Sequence, residues 1–384
     1  MKRLGRVFDD LVSMENLQLA FYRAQKGKSW RKDVVKFRSN LTSNLYALQQ
    51  QLIDGSIKLG HYTRFWVWEP KKQEICTVPF PERVVHHAII NICGQRFETY
   101  QIDQNFACRK DKGGHRAIAL AQKYSCEFPW YLKLDVHKYF DHVDHLILMQ
   151  VLERLIKDPR LLELLWKVID STGSPKGIPI GNLTSQFFAN IYLSTLDHFA
   201  KEKLKIRGYC RYMDDFLCFG ETKEKIKFYL SQIEAFLREK LLLDLNVPQI
   251  NKTIRGVPFL GYRIFPNRIR LGFKAKKTLP QEGQNSLQSV VRWCLVTRRF
   301  CQTHRNALWI YQFGRIKRLS GSVSGVRIGS RLRKSLDESL APGRQLWQHP
   351  VELPVCRESQ QQPCVEQQHE LWRASRFASA ALYY

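Results

Sequence analysis

Apolar positions along the chain change period in a way that lays out its elements. Phe8, Leu11, Met14, Leu17 and Ala20, then Leu41, Leu45, Leu48 and Leu52, recur every three or four residues, which predicts packed helices over 1–60. Tyr62–Trp68 reads as a strand and Thr77–Pro81 as an extended edge, with a helix beginning at Glu82 behind Pro81. Tyr131–Leu134 alternates and ends in Asp135, while Leu146–Asp170 has helical spacing in two pieces broken near Pro159. Phe187–Leu193 opens a helix with an apolar face. Two short apolar runs, Tyr209-Cys210 and Phe216–Phe219, flank Asp214-Asp215, which predicts a hairpin with two acids at its tip. Ile226, Tyr229, Leu230, Ile233, Phe236 and Leu237 then mark a helix over Thr222–Leu242. Strand, helix, strand-turn-strand, helix is a split βαβ arrangement, an antiparallel sheet with helices on one face.

Composition narrows the partners. The 384 residues allow two or three domains or subdomains with ample core, and 44% hydrophobic content fits a globular chain. A net charge of +26, from 61 Lys and Arg against 35 Asp and Glu, calls for a polyanion whose phosphates make binding strong and salt-dependent. A membrane surface is the alternative, but no basic amphipathic helix stands out. No run of about 18 apolar residues predicts a spanning helix, and the N-terminus M-K-R-L-G-R-V-F-D-D has no apolar stretch of the kind a secretory signal needs. The ten cysteines include no C-x-x-C pair, which predicts reduced thiols, many of them buried, and a cytoplasmic setting.

The acids carry the chemistry. A strand that delivers Asp135 at its end, beside a hairpin that delivers Asp214 and Asp215, offers hard oxygen ligands of the kind Mg²⁺ takes together with water and substrate phosphates. Two such ions can activate a 3′-hydroxyl and stabilise a leaving pyrophosphate. Adjacent strand residues face opposite sides, so only one of Asp214 and Asp215 can face such a site fully, and a solvated turn is the plain alternative. With Y-M-D-D in its hairpin, the chain resembles the reverse transcriptases. The resemblance implies metal binding by Asp135, Asp214 and Asp215 with the Val136 carbonyl, two Mg²⁺ ions with Mn²⁺ as a substitute, and template RNA, primer or cDNA and dNTPs as partners.

Other stretches fit the same order. Arg23–Lys32, a basic stretch with one aromatic, either touches template phosphates or is a solvated loop. In the family's first fingers motif, Arg83 braces the fingers beside the template, while His86 and His87 read as packing or surface residues. Arg109, Lys110, Lys112 and Arg116 surround a Gly113-Gly114 turn that lets backbone amides approach an anion. The resemblance assigns this loop to the incoming triphosphate, with Arg109 and Lys112 foremost and Lys110 and Arg116 toward solvent or template. Phe140 occupies the position of a steric gate against a 2′-hydroxyl; plain core is the alternative. The stretch I-G-N-L-T-S-Q, with Ile180 before Gly181 and Ser185-Gln186 after it, closely resembles the reverse transcriptases of diversity-generating retroelements. That family copies template adenines inaccurately. Ile180 in place of glutamine removes a hydrogen bond that holds nucleotide or template in register, unless Ile180 only packs locally. Gly181 would let the backbone approach a base pair or sugar. The resemblance further places Lys252 near the active-site charge, Phe259, Leu260, Gly261 and Tyr262 as a primer grip, and Ser185 and Gln186 along template or primer.

The expected architecture is an α+β right-hand polymerase: helices over 1–60, fingers over 61–130, palm over 131–265, a basic helical thumb over 266–320 and a polar, Gln-rich, poorly ordered tail over 321–384. The tail could be template-repeat DNA read in another frame. The resemblance covers about 60–265 and includes no ribonuclease H, endonuclease or integrase region. It implies a small basic accessory protein, a bacterial or phage origin, cytoplasmic location and no membrane. The rival readings are a faithful intron- or retron-type reverse transcriptase and a catalytically silent RNA-binding scaffold or defence factor.

Overall fold

Four amphipathic helices open the structure: α1 (Phe8–Val12), α2 (Met14–Gln25), α3 (Lys32–Ser39) and α4 (Leu41–Ile53). The computed structural model describes residues 3–68 and 73–272, all within one of the chain's two compact units. Ser13 caps α2 by accepting the Asn16 amide at 3.2 Å. Phe21 of α2 stacks on Phe37 of α3, and both meet Phe80 edge-on, which fixes the helical layer against the long helix that follows. Next come the antiparallel pair β1 (Thr63–Val67) and β2 (Gln73–Thr77), then α5 (Phe80–Tyr100) with Pro79 at its cap, and α6 (Gly114–Glu127).

The central sheet is built from β3 (Trp130–Asp135), β4 (Gly208–Tyr212), β5 (Asp215–Gly220) and β6 (Gln249–Lys252) in the order β4-β5-β3-β6, every pair antiparallel. Between β3 and β4 lie α7 (Tyr139–His142), α8 (His145–Leu155), α9 (Pro159–Asp170) and α10 (Leu183–His198), and α11 (Lys223–Leu241) joins β5 to β6. The break between α8 and α9 falls where Pro159 predicts it. Asp158 caps α9 through the Leu161 amide and also accepts the Val7 and Phe8 amides, so one buried carboxylate ties the N-terminal layer to the centre.

Alternate residues of the sheet enter two cores. Leu132, Leu134, Tyr209, Phe216 and Cys218 pack with Phe188 and Tyr192 of α10 and Ile226 and Ile233 of α11. Tyr131, Cys210, Tyr212, Leu217 and Phe219 pack with Ala117, Ala121 and Tyr124 of α6. The helices expected on one face are there. The other face is also covered, which is why β5 reads as an unbroken apolar run rather than an alternating one. That cover includes a three-stranded sheet, β7 (Val257–Phe259), β8 (Tyr262–Ile264) and β9 (Ile269–Leu271). β9 pairs with β8, so this sheet continues to Leu271. The remainder of the expected thumb and the Gln-rich tail lie outside the described residues. The six described cysteines are free thiols. Among the described residues no helix is long and apolar enough to cross a membrane.

The loop before α10 is fastened to β2. The Cys76 amide donates to the Ile180 carbonyl at 2.8 Å. Gly181, at φ +113°, lies so close that a Cβ there would be 2.6 Å from the Cys76 carbonyl oxygen. Only glycine satisfies both the dihedral and the approach. Gly181→Ala is therefore expected to cost about 1–3 kcal/mol, read as a lower Tm, with faster amide exchange concentrated in β2. Unchanged exchange in β2 would mean the two segments separate freely.

Candidate active site

Strand register brings the acids together. β3 and β5 pair so that Asp135 stands opposite Asp215, and β4 and β5 pair so that Tyr212 stands opposite Asp215. The two-residue turn between β4 and β5 is Met213-Asp214, with Met213 at φ +57°, the kind of primed turn that tight hairpins require. The Val136 amide reaches the Asp214 carbonyl at 3.4 Å, which draws the turn against the end of β3. Directly opposed residues in such a ladder have Cα atoms about 5 Å apart, so Asp135, Asp214 and Asp215 share one corner of the sheet.

Two residues that were not singled out in the sequence complete that corner. Asn246 donates its side-chain amide to Asp135 Oδ2 at 2.6 Å and its backbone amide to the Asp135 carbonyl at 2.8 Å. Lys133, two residues before Asp135 and therefore on the same face of β3, places Nζ 2.5 Å from both Asp215 carboxylate oxygens. Alternation along β3 could have flagged Lys133 as facing the acids. Nothing local marks Asn246, which arrives from the segment after α11.

The electrostatics are those of a site short of positive charge. Burial, and then the negative charge of Asp135, push the Asp214 carboxyl up to about 7. Burial pushes Asp215 up to about 6 against the opposing pull of Lys133. Among the described residues no three His, Cys, Asp or Glu side chains are drawn together closely enough to hold a metal ion by themselves. The donor set still fits Mg²⁺, which takes one or two carboxylates with substrate phosphates rather than a full protein cage. Asp135, Asp214 and Asp215 share this corner, and Val136 adjoins it.

A buried network holds the turn. Arg211 of β4 makes a bidentate pair with Asp197 of α10, Nε to Oδ1 at 2.7 Å and Nη2 to Oδ2 at 2.6 Å, with both side chains fully buried. Its Nη1 donates to the Met213 carbonyl at 2.9 Å, one residue before Asp214, and to Asn190 Oδ1 at 3.2 Å. Asn190 in turn donates to the Ala107 carbonyl at 2.9 Å and accepts from Asn105, so the same network reaches the loop before Gly113.

The cations of that loop divide by exposure. Arg109 is buried against Glu98 at 2.8 Å and also serves the Ile102 and Asn105 carbonyls. Lys112 is held by Asp103 and lies over the Phe106 ring. Both have partners within the protein, Arg109 in a part-buried pair and Lys112 in an exposed one. Lys110 and Arg116 are exposed and are the ones presented outward.

Other expected residues divide in the same way. Phe259–Tyr262 forms a hairpin whose turn residues Leu260 and Gly261 both have positive φ, and the Phe259 ring lies 5.9 Å from Lys133 Nζ, so this hairpin borders the acidic corner. Phe140 is half-buried, edge-on to Tyr139, with its carbonyl bound by the Ile178 amide. Arg83 sits beside Lys28 and Arg31 with Nη1 buried and lacking a hydrogen-bond partner. Ser185 is buried inside α10, whereas Gln186 meets Cys108. Lys252 is a correction: it pairs with Trp130, at the opposite end of β3 from Asp135. Five residues at about 3.3 Å each put it roughly 16 Å from the acids. Gly181 makes its close approach to Cys76, as described above, and Ile180 is half-buried beside it.

Residues 81–264 match the family described as reverse transcriptase (RNA-dependent DNA polymerase). Curated relatives include Protein YkfC of Escherichia coli, 26% identical, covering 62% of this chain and 76% of that protein. The group II intron-encoded protein LtrA of Lactococcus lactis is 23% identical, covering 68% of this chain and 57% of its own length. A putative COX1/OXI3 intron 2 protein of Saccharomyces cerevisiae is 32% identical over 38% of this chain and 25% of its own. Among solved structures, apo telomerase from Candida tropicalis aligns with TM-score 0.44 at 11% identity, over 60% of this chain and 53% of that one.

The raised Asp214 carboxyl sets a stability prediction. Its folded pKa, about 7, lies above the ordinary 3.8, so the folded state binds this proton more tightly than the unfolded state does. The associated stability is present below about pH 4 and is lost as pH rises through 7. In metal-free protein, Asp214→Asn should raise Tm at pH 8, and the gain should shrink toward pH 5. A pH-independent change in Tm would contradict this.

Proposed function

We propose that this chain, whose residues 81–264 are a reverse transcriptase domain, copies a template-repeat RNA into cDNA inaccurately at adenines, as the polymerase of a diversity-generating retroelement. The register that sets Asp135 opposite Asp215, next to the Met213-Asp214 turn, carries the polymerase reading. The retroelement reading rests on I-G-N-L-T-S-Q, with Ile180 where many reverse transcriptases have glutamine.

Divalent ions, Mg²⁺ or Mn²⁺, would supply activation of the primer 3′-hydroxyl and neutralisation of the leaving pyrophosphate. Asp135, Asp214 and Asp215 with the Val136 carbonyl would hold them. The protein's own groups do the positioning. Arg211 fixes the turn through the Met213 carbonyl. Lys110 and Arg116, exposed beside the N-terminus of α6, meet the triphosphate. Phe140 limits the space beneath the sugar, and the Phe259–Tyr262 hairpin carries the primer end past the acids. Arg83 with Lys28 and Arg31 is a cationic cluster suited to template phosphates. A small basic accessory protein, a bacterial or phage source and a cytoplasmic location belong to the same reading.

The alternative, an intron-type reverse transcriptase of ordinary accuracy, is favoured by the intron-encoded relatives. Primer extension on a defined RNA with Mg²⁺ and four dNTPs, followed by sequencing of the cDNA, separates them. Wild type should extend with errors clustered at template adenines. Ile180→Gln should lower those errors several-fold, and Asp214→Asn should abolish extension. Lys110→Ala with Arg116→Ala should raise the dNTP KM more than Arg109→Ala does in folded protein. Accurate cDNA would favour the intron-type enzyme, and salt-sensitive RNA binding without product would favour a scaffold.

A further inference from the structure

We infer that Asn190 is a positioning residue that couples the loop before α6 to the β4–β5 turn, so that the two move as one unit. Asn190 lies midway along α10 and is 1% exposed. Its side chain uses the two ends of the amide on different segments. Oδ1 accepts from Arg211 Nη1 and from Asn105 Nδ2, each at 3.2 Å, and Nδ2 donates to the Ala107 carbonyl at 2.9 Å. The Arg211 nitrogen that reaches Asn190 is the one that also donates to the Met213 carbonyl at 2.9 Å. A single amide therefore stands one hydrogen bond from the loop and two from the turn.

The backbone runs the same way. Arg211 donates its amide to the Gln104 carbonyl at 2.9 Å and accepts from the Phe106 amide at 3.0 Å, a parallel bridge on the outer edge of β4. The Gly113 amide donates to the Phe106 carbonyl at 2.9 Å and closes the loop at its base. Lys110 thus stands in a loop whose base is tied to β4, and Arg116 follows in the first turn of α6. The chemistry of residue 190 is specific. Serving both sides at once takes an acceptor and a donor on one planar group. An ionised aspartate has no donor for Ala107, and alanine has neither group. Truncation also leaves the Ala107 carbonyl without this donor in a buried place, which costs more than a lost exposed bond. What the loop and the turn hold rests on the polymerase reading, but the coupling between them is read without substrate.

The test is amide hydrogen exchange of the full chain, followed on peptides covering 104–113 and 212–216, with Tm recorded for each variant. Asn190→Ala should accelerate exchange in both segments by about tenfold, the scale of one lost buried hydrogen bond. Gly181→Ala, which strains the contact with β2 instead, should leave both segments at the wild-type rate. Asn190→Asp at pH 8 keeps the acceptor toward Arg211 and loses the donor to Ala107. It should accelerate 104–113 alone, and it decides the question if Asn190→Ala fails to fold. In primer extension, Lys110→Ala should raise the dNTP KM by a smaller factor in the Asn190→Ala background than in wild type, because the loop is already displaced. The inference is overturned if Asn190→Ala accelerates only one segment, if Gly181→Ala accelerates both as much, if Asn190→Asp leaves 104–113 unchanged, or if the two KM effects multiply. The exchange measurements stand whether or not the chain polymerises, so a failure of the coupling and a failure of the polymerase reading are told apart.

Discussion

The buried pair between Arg211 and Asp197 is the interaction on which the acidic corner depends. An ion pair with both partners fully buried gains little net stability, because desolvation offsets the Coulombic attraction. Its value here is geometric. A guanidinium has five donors in a fixed plane, and these are spread over Asp197, Asn190 and the Met213 carbonyl. Tyr209 adds its hydroxyl to Asp197 Oδ1 at 2.8 Å. One rigid plane thus joins β4, α10 and the turn that carries Asp214. Lysine could keep the charge but could not reproduce that set of directions.

This rigidity answers an electrostatic conflict. Asp214 and Asp215 are each pushed up by burial, and Asp135 adds repulsion to Asp214. Left to themselves, such carboxylates would separate or protonate. The β3–β5 register, the Val136–Asp214 backbone bond and the Arg211 plane hold the backbone in place, while Lys133 and Asn246 each restrain one acid. The fold bears the cost of concentrating negative charge in a chain whose net charge is +26. The remaining basic side chains then surround this acidic corner with a field that favours a polyanion.

What the sequence conveys follows from how local each feature is. Strand and helix periods, the Pro159 break and the Met213-Asp214 turn depend on neighbours in the chain, so they are legible there. The clustered acids are legible because they sit beside the ends of apolar runs. Partner choice is not local. Arg109 and Arg116 look alike as cations near a Gly-Gly turn, and only α5, by bringing Glu98 within reach, gives Arg109 a partner within the protein. Lys252 follows the expected order of motifs, yet order does not specify register, and β6 pairs with the far end of β3. Ser185 is polar in a motif that suggests nucleic acid, but its face of α10 points into the core. Lys133 and Asn246 were missed because their meaning exists only once β3, β5 and the segment after α11 are adjacent.

The same distinction between backbone and side chain bears on Ile180. Its carbonyl is pinned by the Cys76 amide, and the next residue is a glycine pressed against the Cys76 carbonyl. The main chain at this position is therefore set by β2 and by the dihedral of Gly181, and the identity of the residue-180 side chain does not enter. An amide-bearing residue could replace isoleucine without moving the loop. Any change in copying accuracy from such a replacement would then report the chemistry of the side chain, a hydrogen bond gained or lost. By contrast, a change at Gly181 would move the backbone itself and alter β2 packing with it. Side-chain chemistry at this loop is thus separable from its architecture at position 180 and inseparable from it at position 181.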